Sequence, residues 1–215
     1  MSPEQRLQTR ELHGIDVKVA LTTPNVLTIA RIATAPVLVY LLCFTGPTAA
    51  AIAGGVFFCA TISDYLDGYI ARSYGSGSTL GKFLDPLADK IVVTAVLIML
   101  AGTPRTPHVP AWLVVVLVTR EIMVTGLRAV AAAEGRVIAA GELGKYKMAL
   151  QAIALQGLLI HYTYLHINFF AAGMFVLWIA TIVSVWSGID YYVKVIAMLR
   201  PAAAGASQGA KRAAI

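Results

Sequence analysis

The sequence predicts an all-α, polytopic integral membrane protein with six transmembrane helices and an active site at their cytoplasmic end. Three observations predict it. The chain is 58% hydrophobic and only 13% charged, with a mean hydropathy of +0.74, a balance that a soluble domain does not reach. Apolar stretches of spanning length recur along it. Four of its 11 acidic residues fall between Asp64 and Asp89, where two of those stretches end.

The helices are expected over 25–44, 48–72, 84–102, 109–131, 143–164 and 168–195. Turn chemistry separates them: Thr45-Gly46-Pro47 follows the first, and Ser73 to Ser78, with two glycines, follows the second. Pro104, Pro107 and Pro110 divide the third from the fourth, and Gly135 and Gly141 bracket the next connection. Residues 21–197 thus form one six-helix domain. Ahead of it, 1–20 is a juxtamembrane segment, read either as a short interfacial helix carrying Leu7, Leu12, Ile15, Val17 and Val19 or as a loose leader. It is too polar for a cleavable signal peptide. Behind it, 198–215 reads as a flexible tail ending in the basic pair Lys211-Arg212.

Positive residues set the orientation. Arg6, Arg10, Lys18, Arg72, Lys82, Arg136, Lys145, Lys147, Lys194, Arg200, Lys211 and Arg212 share one side, and Arg105 stands alone on the other. The positive-inside rule places both termini and the acidic cluster in the cytoplasm, as an even number of spans requires. In this setting the net charge of +6 reads as topology and attraction to lipid, not as a nucleic-acid surface. The protein is expected to be multi-pass in the plasma membrane. Cys43 and Cys59 lie in apolar segments without disulfide or zinc spacing and read as small buried hydrophobes.

The acids have a fixed spacing, Asp64-x2-Asp67-Gly68-x2-Ala71-Arg72-x8-Gly81-x3-Asp85-x3-Asp89. Asp64 and Asp67 share a face at the end of the second helix, and Asp85 and Asp89 share one at the start of the third. A polar hairpin, Ser73 to Phe83, brings the pairs together. Four carboxylates beside hydrocarbon are costly unless cations sit among them. Their oxygens suit Mg²⁺ or Mn²⁺, and two such ions would clamp a phosphoryl group. Gly68, Ala71 and Gly81 leave room for a diphosphate, and Arg72 offers it a guanidinium fork. Taken singly, each aspartate also reads as a solvated carboxylate, or, for Asp85, as a favourable charge at a helix start.

This pattern resembles, without departure, the signature of the CDP-alcohol phosphatidyltransferase family. The resemblance covers about residues 20–197 and implies a six-helix core, two metal ions, and transfer of a phosphatidyl group from CDP-diacylglycerol to an alcohol with release of CMP. By motif position, Asp64, Asp67 and Asp85 would bind one ion and Asp64, Asp85 and Asp89 the second. Asp89 would also be the general base. Gly68, Arg72 and Ser78 would contact the cytidine diphosphate, with Ser78 where Thr is common; Thr28 and Gly81 join that liponucleotide-binding set.

The remaining cations address the acceptor. Arg31, Arg120, Arg128, Lys145 and Lys147 lie within or beside apolar segments, and converging cations bind an anionic alcohol. The competing reading has Arg120 paired with another helix's acid and the lysines snorkelling as ordinary positive-inside charges. Pro24 to Thr28 with Arg31, Thr119 to Arg128, and Leu143 to Gln151 resemble the members of the family that use sn-glycerol 3-phosphate to make phosphatidylglycerophosphate. Inositol phosphate is the nearest rival acceptor.

Other features read as structure. Trp112 suits an interfacial belt, and His161 and His166 lie far from the acids. Gly54-Gly55 permits close helix packing, or a homodimer of the kind the resemblance implies. Asn168 has no assigned role, and Asp190 is assigned at most a basic partner on a neighbouring helix. Two other classes compete. A divalent-cation transporter needs acids near mid-bilayer, and no internal repeat supports one. A non-catalytic sensor has no need of the presumed base.

Overall fold

The computed structural model describes residues 23–74, 79–133 and 142–199, and side chains over 30–63, 87–133 and 144–198. The segment 1–20 and the tail beyond Leu199 lie outside the described residues, as do Arg136 and Ser78. Among those described, the chain is mostly helical: α1 (Thr23–Leu42), α2 (Pro47–Tyr74), α3 (Thr79–Gly102), α4 (Ala111–Ala133), α5 (Glu142–Ile160) and α6 (Phe169–Leu199). A two-stranded antiparallel hairpin, β1 (Thr163–Tyr164) and β2 (Ile167–Asn168), joins the last two helices.

The helices stand where hydropathy and turn residues place them, with two differences. α3 begins at Thr79, five residues before its expected start, so Ser73, Tyr74 and Thr79 to Phe83 of the expected hairpin are helical, and its remainder, 75–78, lies outside the described residues. α5 stops at Ile160, because His161 adopts a left-handed backbone (φ 64°) and its N–H closes on the Gly157 carbonyl at 3.0 Å. The hairpin that follows turns on Leu165 and His166, both at positive φ. Such a turn usually takes Asn-Gly, so this pair carries no turn signal. Asn168 then caps α6: its Oδ1 accepts the Ala171 N–H at 3.0 Å.

The chain forms two compact units. One holds residues up to Val109 together with Leu155–Ala172; the other holds Pro110–Ala154 and the chain from Gly173. In the first, α1 packs on α2 and α3. Leu38 and Leu42, Ala50, Ala53 and Phe57, and Val92, Val96 and Leu100 are buried at helical spacing along the three helices. Gly54 lets the end of α5 approach: a Cβ there would meet Ile160 Cγ1 at 2.9 Å, and the Gly54 carbonyl accepts the Gln156 amide at 3.1 Å.

The same unit closes on Arg105, which is 2% exposed. Its Nε donates to the Phe44 carbonyl at 2.9 Å, Nη2 to Leu41 at 3.0 Å and Nη1 to Leu159 at 3.4 Å. Thr103 Oγ1 donates to the Leu42 carbonyl at 3.0 Å. The last carbonyls of α1 and α5, which no helical N–H can reach, thus gain charged and neutral donors. Beside them, a His161 ring nitrogen lies 3.3 Å from the Thr106 carbonyl.

In the second unit, Leu113, Leu117, Val124 and Ala131 form the inner stripe of α4. Val124 packs with Tyr191 and Val195 of α6 and with Leu127. Trp112 and Trp178 meet with ring centroids 5.3 Å apart. On α5, Lys147, Gln151 and Ala154 are buried in one stripe.

Two sequence readings are corrected here. Cys43 and Cys59 are exposed free thiols. Hydrophobicity does not separate inside from outside in this chain: Ile122, Phe175 and Trp186 are also exposed. Asp190 pairs within its own helix, accepting from Lys194 at 2.6 Å. One helix among the described residues, Phe169–Met198, is long and apolar enough to cross a membrane, at a mean hydropathy of 2.1. Within the described side chains, α1 and α2 also carry apolar stretches, Ala30–Leu42 and Pro47–Ser63.

Candidate active site

The four aspartates lie inside helices and not at their ends. Asp64 stands ten residues before the end of α2 and Asp89 ten after the start of α3; Asp67 stands seven before that end and Asp85 six after that start. At 1.5 Å per residue the outer and inner members of the two pairs lie about 15 Å and about 10 Å along their own helices from the ends nearest residues 75–78. Residues 75–78, which connect the two helices, lie outside the described residues, and both helices pack on α1. Asp85 is therefore past the first turn, which contains no acid, and the helix dipole does not account for it. Ala88, beside Asp89, is buried, and Asp89 is half-buried. Thr28 lies in α1, Gly68 and Arg72 in α2, and Gly81 in α3; their side chains, like those of Asp64, Asp67 and Asp85, lie outside the described residues.

Arg31 is buried on α1, at the wall of a slot of about 450 Å³ between α1 and α2. Thr34, Ile52, Gly55, Val56, Cys59 and Ser63 continue the described lining. The slot is mostly apolar. Gly55 contributes open space, since a Cβ there would meet nothing within 4 Å. Its dimensions suit a ligand with a long hydrocarbon part.

The other predicted cations belong to the second unit. Arg120 and Lys147 converge on one carboxylate oxygen: Arg120 Nη1 donates to Glu121 Oε2 at 3.2 Å, and Lys147 Nζ donates to the same atom. Their side chains are only 10% and 8% exposed, against 26% for Glu121. Arg120 also donates through Nε to the Ser184 carbonyl at 2.8 Å and through Nη2 to Ser187 Oγ at 3.2 Å. The acid that holds Arg120 is thus its neighbour in sequence, and what fixes it across the fold is α6. Gly188 makes this possible, because a Cβ there would stand 3.1 Å from Arg120 Cγ. Arg128 lies over the Tyr191 ring, 5.8 Å from its centroid. Lys145 is exposed.

Sequence reasoning brought out the cations and Glu121 but missed Ser184, Ser187, Gly188 and Tyr191. The i, i+3, i+4, i+7 spacing on α6 was the available signal.

One unit thus carries four aspartates on α2 and α3 and an apolar slot between α1 and α2, and the other carries a cation pair held by Glu121. The family model described as CDP-alcohol phosphatidyltransferase matches residues 21–186, and the chain belongs to that membrane-associated family. It is similar to the CDP-diacylglycerol–glycerol-3-phosphate 3-phosphatidyltransferase of Bacillus subtilis (strain 168), with 39% identity over 80% of this chain and 93% of that protein. The protein of the same name from Rickettsia bellii (strain RML369-C) is 36% identical over 82% of this chain and 96% of its own. A CMP-forming cardiolipin synthase of Oryza sativa subsp. japonica is 40% identical over 65% of this chain and 46% of that protein.

Proposed function

We propose that the protein transfers the phosphatidyl group of CDP-diacylglycerol to sn-glycerol 3-phosphate, giving phosphatidylglycerophosphate and CMP. The observation that carries this reading is the part-buried Arg120 and buried Lys147 held on one carboxylate. Two preset cations suit an acceptor that brings its own phosphate, and the names of the bacterial relatives agree. Inositol phosphate would suit the same charges.

Asp64, Asp67, Asp85 and Asp89 would hold two Mg²⁺ or Mn²⁺ ions. The donor set fits in its chemistry, with four carboxylates as hard oxygen ligands, two on each of two consecutive helices. Such ions supply neutralising charge to a diphosphate. Asp89 takes the proton of the attacking hydroxyl. The slot between α1 and α2 takes a hydrocarbon tail of the liponucleotide, and Arg31 then serves that substrate instead of the acceptor. The six helices span the plasma membrane with both termini in the cytoplasm, a reading supported by the distribution of Lys and Arg.

The test is CMP release by purified protein given CDP-diacylglycerol and Mg²⁺ or Mn²⁺, with glycerol 3-phosphate, inositol phosphate or serine offered separately. Glycerol 3-phosphate should support release, and Asp89→Asn should abolish it in a protein that still folds. Preference for another alcohol would reassign the acceptor. Turnover retained by Asp89→Asn would remove that residue as base.

A further inference from the structure

The face of α6 that seats Arg120 has more hydrogen-bonding capacity than the fold uses. Ser184 Oγ and the Tyr191 hydroxyl are buried without a partner among the described residues; Ser184 is 0% exposed and Tyr191 is 7% exposed. A buried hydroxyl left unpaired costs free energy, and two of them two turns apart on one helix face call for a common ligand. Arg120 repeats the pattern. A guanidinium has five N–H donors, and Arg120 uses three of them, on Ser184, Glu121 and Ser187. One N–H on each terminal nitrogen is left over, the fork that meets two phosphate oxygens.

We propose that Ser184, Ser187 and Tyr191 are acceptor-site residues, forming with Arg120 and Lys147 a pocket for a small polyol monophosphate. The proposal rests on the phosphorylated-acceptor reading above and extends it to α6. The cations take the phosphate. The Ser184 and Tyr191 hydroxyls, which both donate and accept, take hydroxyls of the alcohol. Ser187 Oγ holds Nη2 of Arg120 and fixes the direction of the fork. Charge agrees with this division: Arg120, Lys147 and Arg128 against Glu121 sum to two positive charges, matching a phosphate monoester that is largely dianionic at neutral pH. Glu121 is the positioning residue, keeping two cations together before the ligand arrives. Gly188 is a second one, since its missing Cβ lets Arg120 lie against α6.

The experiment measures initial rates of CMP release by the full-length protein, varying glycerol 3-phosphate and CDP-diacylglycerol in turn. Ser184→Ala and Tyr191→Phe should each raise KM for glycerol 3-phosphate about five- to tenfold, the worth of one hydrogen bond, and leave KM for CDP-diacylglycerol unchanged. Inhibition by inorganic phosphate should be unchanged in both variants, because phosphate meets only the cations; Ser187→Ala should weaken it. Gly188→Ala should raise the acceptor KM as well. Titration calorimetry with glycerol 3-phosphate reads the pocket without turnover. Binding to the unaltered protein that weakens in Tyr191→Phe upholds the pocket even if CMP release with this acceptor fails. An unaltered acceptor KM in both hydroxyl variants, equal rises for both substrates, or no weakening of binding in Tyr191→Phe would overturn it.

Discussion

Two arginines, the buried Arg105 and the part-buried Arg120, show how the same side chain serves different ends in the two units. Arg105 spends its charge on main-chain carbonyls at the ends of helices, with Phe44, Leu41 and Leu159 as acceptors. Burial lowers its pKa and an electrostatic interaction with Tyr162 opposes the shift, yet a guanidinium stays protonated. Its partners are peptide groups that cannot leave. Arg120 shares a carboxylate with Lys147, leans on two serines, and keeps donors unused. Burial alone therefore does not mark a functional cation. What distinguishes Arg120 is a dissociable counterion and spare hydrogen-bonding capacity.

The contrast can be broken by exchanging the consequences. Arg105→Ala should cost at least about 3 kcal/mol, since several charge-assisted hydrogen bonds are lost and carbonyls are left unpaired. It should lower the unfolding temperature while leaving turnover per folded molecule intact. Arg120→Lys should do the reverse, raising the acceptor KM with a much smaller thermal shift. A loss of turnover in folded Arg105→Ala would erase the distinction.

A smaller effect separates the adjacent glycines of α2. Gly54→Val should destabilise by about 1–3 kcal/mol through overpacking against Ile160, whereas Gly55→Ala should be close to neutral in thermal unfolding. Equal losses would mean that the end of α5 does not press on Gly54.

The smallest effect belongs to His161, next to the Arg105 cluster. Burial lowers its pKa, the Thr106 carbonyl opposes this, and the Arg105 charge adds to it. Above the ordinary value of 6.5 both folded and unfolded chains carry a neutral imidazole, so this group adds no pH dependence. Below 6.5 the unfolded chain binds the proton first, and stability falls until folded His161 protonates as well. His161→Gln should flatten the acid limb of unfolding temperature against pH relative to the parent. An unchanged limb would show that the ring is not held neutral by its surroundings.

Much of this was legible in the sequence. Among the described residues, helix positions follow from apolar runs punctuated by Gly and Pro, and the aspartate spacing marks the candidate site without coordinates. The depth of that site did not follow, because nothing in Thr79 to Phe83 distinguishes a first helical turn from a polar connection. The hairpin at Leu165-His166 was hidden for a different reason: its backbone is imposed by the pairing of Thr163 with Asn168 and Tyr164 with Ile167, and not by turn-forming residues. The α6 wall was missed because attention to charge passes over hydroxyls. Ser184, Ser187 and Tyr191 look like ordinary members of an apolar helix until their partners are traced. Asn168 looked idle for the same reason; an N-cap is visible only once the helix start is fixed.

The two exposed thiols give the chain its own reporters. Cys59 is part of the wall of the slot between α1 and α2, whereas Cys43 follows the end of α1 and its Sγ donates to the Val39 carbonyl at 3.4 Å. Since the sequence holds no other cysteine, replacing Cys43 leaves a single alkylation site. The rate at which a maleimide reaches it then measures how often the slot is empty, without an engineered probe.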